Sequence, residues 1–293
     1  MRIAAAVLSM ALLQSAASPT GPLAPRVDHH QHLLSPATIE RINAGAARLG
    51  RPSRARGEEP VTAKRLVAML DAAGIERAVV LSNAYYFDGI RLGPEAYPVV
   101  QAENDWTAME VAGFPSRLIA FCSFSPLKDY AIQELDRCAR SGTFKGLKLH
   151  FGNSGVDLKN RDHVEKVRRV FEAANSRRLP IIVHVRASPD SGREHAEVVL
   201  TQLLPAAPDV VVQIAHLWGG AEFSEGALAA YADAVAAHKP ATGNLYFDVA
   251  ELALVVGNNK GTLKRAAEQI RRIGIDRILF GSDGPEFGEC AAA

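Results

Sequence analysis

The chain has little with which to staple itself, cross a membrane or grip a polyanion. Three cysteines in 293 residues, an odd number, exclude a complete disulfide framework. Cys122 reads as core packing within a strand, Cys138 lies in a helix and Cys290 in the tail. Lys and Arg total 33 against 32 Asp and Glu, a net charge of +1, so no global field favours nucleic acid or an acidic surface. No apolar run reaches the ~20 residues that a spanning helix needs. The N-terminal run, residues 3–13, follows Arg2 and precedes Gln-Ser-Ala-Ala-Ser, with small residues at Ser15 and Ala17. That is the layout of a secretory signal peptide. Residues 1–17 are therefore expected to be removed on export to a bacterial periplasm, with no membrane association afterwards. Residues 18–293 are then expected to form one domain.

What is present is a repeated strand pattern with polar ends. Val-Asp-His-His-Gln-His at 27–32 places His30 and His32 two apart, and alternate strand residues share a face. Asp28 is expected on that face and His29 on the other. Two imidazoles side by side can share one metal ion at ~2.0–2.1 Å each. Three further apolar runs end on a competent ligand: Pro180-Ile-Ile-Val-His184, the run 210–216 ending on His216, and the run 277–283 ending on Asp283. The run Phe144-Lys-Gly-Leu-Lys-Leu-His150 carries Lys148 and His150 on one face.

Eight such strands are predicted, at 27–32, 78–83, 118–124, 145–150, 180–185, 210–216, 245–250 and 277–283. Helical periodicity and caps mark 62–73, 162–175, 194–204 and 263–273 between them. Near-continuous apolar strands fit burial on both faces. An open doubly wound sheet is the rival architecture. Regular units and ligands at the ends of strands one, five, six and eight favour a closed α/β fold, the (β/α)8 TIM barrel, whose active site lies at the C-terminal ends of the strands. The 293 residues suffice for one such barrel of ~250.

These motifs resemble the amidohydrolase superfamily: Asp-x-His-x-His at 28–32, strand-end His184 and His216, and Gly-Ser-Asp-x-Pro at 281–285. Gly-Leu-Lys-Leu-His at 146–150 and His-Leu-Trp-Gly-Gly at 216–220 are similar to its amidohydrolase-related (amidohydrolase 2) branch of metal-dependent hydrolases, lactonases and decarboxylases. The resemblance spans about 26–286. It implies that His30, His32, His184 and Asp283 bind one divalent metal, zinc in the first instance, with manganese or iron as alternatives. Asp283 would move the proton of a metal-activated water, and His216 would contact that water or the developing oxyanion. Lys148, His150, Arg186 and Trp218 would meet a small, anionic substrate. Lys148 could instead be carboxylated and bridge two metals, or pair with Asp28 or Asp283. His150 and Asp248 are candidates for supporting roles. His163, His195 and His238 read as surface residues.

Hydrolysis of a small amide, lactone or ester is the leading expectation. Non-oxidative decarboxylation is the alternative, and a non-catalytic binding barrel the third. Residues 33–60 are expected as a long loop over the site, with Arg48, Arg51, Arg54 and Arg56. Tyr85-Tyr-Phe-Asp-Gly is expected as a pocket wall. The family's closing helix after strand eight is apparently lacking, which suggests a C-terminal truncation, and association into a homo-oligomer would cover the gap.

Overall fold

A computed structural model describes residues 25–284 apart from 51, 54, 56–57, 89–95, 187–191, 221 and 258, and omits the side chains of 253 and 254. The expected signal peptide, Cys290, Arg51, Arg54, Arg56 and the region of the closing helix lie outside the described residues.

Eight parallel strands follow one another in chain order: β1 (Val27–His32), β2 (Arg77–Leu81), β3 (Leu118–Ser123), β4 (Phe144–His150), β5 (Ile181–His184), β6 (Val212–Ile214), β7 (Leu245–Asp248) and β8 (Ile278–Leu279). Backbone bonds from His29 N to Phe280 O (2.8 Å), Asp283 N to His30 O (2.8 Å) and His32 N to Gly284 O (2.9 Å) join the end of β8 to β1 and close the barrel. The expected eighth strand is thus present, but only two of its residues keep strand geometry. Its last residues bend so that Asp283 can turn inward.

The helices pack outside: α1 (Pro36–Arg48), α2 (Ala63–Ala73), α3 (Ala96–Ala112), α4 (Ala131–Ser141), the single turn α5 (Phe151–Ser154), α6 (Arg161–Ser176), α7 (Gly192–Val198), α8 (Glu225–Ala236), α9 (Leu252–Val256) and α10 (Lys260–Ile273). Caps set their limits. Thr62 accepts a bond from Arg65 N at the start of α2, and Gly74 ends it at φ 72°. Helix α1 corrects the expectation of a long loop at 33–60. Its apolar stripe is thin, but Ser35 caps it and Pro36 opens it. Ser35 Oγ and Thr38 Oγ1 then donate to the buried Glu103 carboxylate of α3, at 2.6 and 2.9 Å. Tertiary hydrogen bonds, invisible to periodicity, hold this helix.

Strand alternation sorts the core into two layers. Ala78, Val80, Leu147, Leu149, Ile181, Val183, Val212 and Phe247 face the helices. Val79, Leu81, Phe121, Ile182 and Ala215 fill the barrel interior. Gly146 belongs to the inward set, and a Cβ there would lie 2.3 Å from the Phe121 ring. That glycine lets a large ring floor the barrel beneath Lys148 and His150, the next inward residues of β4.

Candidate active site

Five non-glycine residues at the C-terminal ends of β5 to β8 have left-handed backbone angles: Arg186, His216, Leu217, Glu251 and Asp283, with φ between 57° and 61°. Such angles are uncommon outside glycine and gather where surrounding structure compels them. At His216 and Leu217 the compelling group is Asp248 at the end of β7. Its Oδ1 accepts from His216 N (2.9 Å) and Ala250 N (3.1 Å), while its backbone oxygen accepts from Leu217 N (2.8 Å). Its Oδ2 faces His30 Nδ1 (3.0 Å) and accepts from Gln213 Nε2 (2.6 Å). Burial disfavours the charged form of Asp248, but His30 and His216 outweigh it and hold the carboxyl well below its usual range.

The histidines converge on Asp283. His30 Nε2 lies 3.1 Å from Asp283 Oδ1 and His32 Nε2 lies 3.3 Å from the same oxygen. His216 Nε2 is 3.9 Å from Oδ2. Their other ring nitrogens meet acceptors: Asp248 for His30, Leu81 O for His32 (2.9 Å) and Ala250 O for His216 (3.1 Å). A carbonyl oxygen only accepts, so Nδ1 carries the proton in His32 and His216, and the ionised Asp248 asks the same of His30. Each Nε2 is left as a lone pair pointing inward. Lone pairs facing a carboxylate need a cation between them, and these residues fit one. One atom each of His30, His216 and Asp283 lie within 4.8 Å of one another. His184 adds a buried Nε2 with no hydrogen-bond partner, and its ring sits 4.6 Å from that of His216. In the ion-free cluster, burial and Lys148 push His30 down, but Asp283 and Asp248 prevail and raise it to about 9. The cluster thus draws a proton where it would hold a metal.

Lys148 is 1% exposed, with Nζ 3.0 Å from His30 Nε2. His150 pairs with His184 in register across β4 and β5, and their rings stack at 4.1 Å. Tyr85, in the turn after β2, lies against His150 at a tilt, with ring centroids 4.9 Å apart. Arg186 is exposed, and its side chain crosses Gly152, where a Cβ would lie 2.2 Å from Arg186 Cδ. No carboxylate pairs with it among the described residues.

Two expectations change. Asp28 does not join the inward face with His30 and His32, because the register of β1 shifts between Asp28 and Gln31. Its buried carboxylate instead accepts from His30 N, Gln31 Nε2 and Ser282 N at 3.0, 2.7 and 3.2 Å, and so pins β1 to the end of β8. Trp218, expected against the substrate, is fully buried and packs edge-on against Phe223 at 5.1 Å. It follows the double left-handed turn at His216 and Leu217, and its side chain joins the hydrophobic core. Gln213 was not anticipated. Its one signal was an amide inside the apolar run 210–215, at a position that is 4% exposed.

A family model described as amidohydrolase matches residues 27–289. No curated protein matches the chain significantly. Among solved structures, a 2,6-dihydroxybenzoate decarboxylase in complex with 2,6-dihydroxybenzoate is similar at TM-score 0.61 and 20% identity, over 90% of this chain and 89% of that one. A 5-carboxyvanillate decarboxylase from Novosphingobium aromaticivorans, with manganese and 4-hydroxy-3-methoxy-5-nitrobenzoic acid, aligns at TM-score 0.63 and 18% identity, covering 90% and 87%. A structure named as a probable 2-pyrone-4,6-dicarboxylic acid hydrolase from Acinetobacter baumannii aligns at 0.54 and 16%, covering 89% and 85%.

Proposed function

The chain belongs to the amidohydrolase family, and on that premise we propose that it is a metal-dependent, non-oxidative decarboxylase of a hydroxylated aromatic acid. The observation that carries the reading is the group of adjoining rings Tyr85, His150 and His184 beside the buried Lys148 ammonium. Flat walls suit a planar ring, and a buried cation suits its carboxylate. The decarboxylases of dihydroxybenzoate and carboxyvanillate, which share this fold, support the same substrate class.

His30, His32, His184 and Asp283 would hold one divalent ion, with His216 beside them. An imidazole-rich set suits zinc, while the carboxyvanillate decarboxylase carries manganese. When bound, the ion supplies positive charge that fixes the acid group and draws electron density from the ring. Lys148 binds the carboxylate. Asp283 shares Oδ1 with His30 and His32, which leaves Oδ2 to face His216. The Asp283–His216 pair would first take the proton of the substrate's phenol hydroxyl and then deliver it to the ring carbon bearing the carboxylate, leaving the product as a phenolate. The bond to the carboxylate then breaks, its electron pair returns to the ring and carbon dioxide leaves. Arg186, at the rim, would meet a further anionic substituent.

Hydrolysis of a lactone acid is the second reading, supported by the likeness to the pyrone dicarboxylate hydrolase. One experiment separates the two. Metal-loaded protein is given 2,6-dihydroxybenzoate, 5-carboxyvanillate and 2-pyrone-4,6-dicarboxylate, while carbon dioxide and ring opening are followed. Carbon dioxide release, lost in Asp283→Asn, is the expected result. Ring opening without it would replace decarboxylation by hydrolysis, and neither reaction would sink both.

A further inference from the structure

The ring nitrogens of the site do not all point the same way. His30, His32 and His216 each have Nδ1 against an oxygen acceptor and Nε2 turned inward as a lone pair. His150 is reversed. It caps the turn α5, and its Nδ1 accepts the backbone N–H of Asn153 at 3.2 Å. A neutral imidazole that accepts at one nitrogen carries its proton on the other. The Nε2 of His150 is therefore N–H, and it has no protein partner among the described residues.

Position makes this matter. His150 is one inward step beyond Lys148 on β4 and lies in register with His184 of β5. Its ring is stacked on His184 at 4.1 Å and touches Tyr85 at a tilt at 4.9 Å. Stacked and capped, the ring is held with Nδ1 toward Asn153 N. We infer that His150 is a hydrogen-bond donor to the substrate through Nε2–H, and not a metal ligand or a base. The site is then divided by chemistry. His30, His32 and His184 with Asp283 form a cation-binding half, and His216 turns its lone pair toward it. Lys148, His150 and Arg186 form a half that only donates and takes an oxyanion: a carboxylate, phenolate or lactone carbonyl. Sequence alone left His150 with its role open, because the choice rests on one backbone N–H.

The assignment of a substrate oxygen rests on the aromatic-acid reading above, so the test has an arm that does not. In zinc-loaded protein labelled with 15N-histidine, His150 is expected to show a bare Nδ1 and a protonated Nε2, opposite to His30, His32 and His216. A protonated Nδ1 at His150 would overturn the inference whatever the substrate. In the second arm, His150→Asn and His150→Gln are compared for binding of 2,6-dihydroxybenzoate and 2-pyrone-4,6-dicarboxylate. An Asn oxygen takes the place of Nδ1 and keeps the cap, while a Gln amide reaches the place of Nε2 and keeps the donor. The donor role predicts that His150→Asn melts like the parent with full metal content but binds up to about tenfold more weakly, the worth of one hydrogen bond. His150→Gln should melt lower yet bind within about threefold of the parent. A purely structural histidine predicts the reverse, and that pattern would refute the inference. If the parent bound neither acid, the aromatic-acid reading would fall, while the nitrogen signals would still decide the state of His150.

Discussion

His30 on β1 and Asp248 on β7 meet across β8 with Nδ1 and Oδ2 3.0 Å apart, and they can do so because Gly281 lies between them. A Cβ at Gly281 would come within 2.8 Å of His30 Cβ and 3.3 Å of Asp248 Cβ. The glycine of the Gly-Ser-Asp motif is thus an opening for a carboxylate–histidine pair. That pair turns the free nitrogen of His30 inward.

Asp248→Asn should weaken metal binding by about 10- to 100-fold, the usual cost of removing a carboxylate behind a ligating histidine. Competition with a chromophoric chelator measures it, with far-UV circular dichroism to show that the barrel persists. Unchanged affinity would mean that Asp248 only shapes the turn at His216.

Gly281→Ala should destabilise the protein by about 1–3 kcal/mol, as overpacking of a filled site does. The methyl group has backbone-borne Cβ atoms on both sides and no flexible tip to push aside. Urea unfolding measures the loss, and a neutral result would mean that β8 can move away from β1.

The purified chain should carry about one ion, and His30→Ala should lose it, since His30 contributes to the cluster directly. Elemental mass spectrometry reads both. Two ions per parent chain would instead place Lys148 as a bridging, carboxylated ligand.

Lys148→Met should preserve the fold, because the side chain is 1% exposed and its stem packs like a methionine. It should nevertheless lower kcat/KM by about 10²-fold or more through loss of the buried donor. Retention of activity within tenfold would remove Lys148 from carboxylate binding.

Asp88, behind the Tyr85 turn, gives a pH prediction away from the metal cluster. Burial raises its carboxyl to about 6, although Tyr130 and the backbone N–H of Ser125 bond to it and oppose the shift. Its folded-state value lies above the unfolded value of 3.8. The favourable contribution is therefore complete below pH 3.8 and is lost as pH rises through about 6. The amount is on the order of 2–3 kcal/mol. Measured as the stability difference between the parent and Asp88→Asn, the parent should lose ground between about pH 4 and pH 7. A flat difference would show that Asp88 is not shifted.

Much of this site was legible in the chain because its determinants are local. A strand alternates with period two, so His30 with His32, and Lys148 with His150, share faces by geometry alone. Apolar runs ending on His184, His216 and Asp283 announced at which ends of the strands imidazole and carboxylate gather, and eight strand patterns in all announced a barrel. Where a rule was broken locally, the reading failed. A register shift in β1 turned Asp28 from the inward face to the β1–β8 seam. After a pair of left-handed residues, Trp218 lies in the core. Helix α1 escaped notice because its anchor, Glu103, lies 65 residues beyond Thr38.

What the sequence determined by itself is the inventory and the order: which ligand-competent residues there are, on which strands, at which end. What only the tertiary structure decided is the direction of each ring nitrogen and the company each carboxylate keeps. Asp248 meets His30 218 residues away, and Leu81 O fixes His32 from a neighbouring strand. Such pairings arise when the barrel closes, because closure brings distant strand ends within the ~3 Å over which a hydrogen bond has direction. Periodicity can place a side chain on a face; it cannot say which way an imidazole turns once it is there.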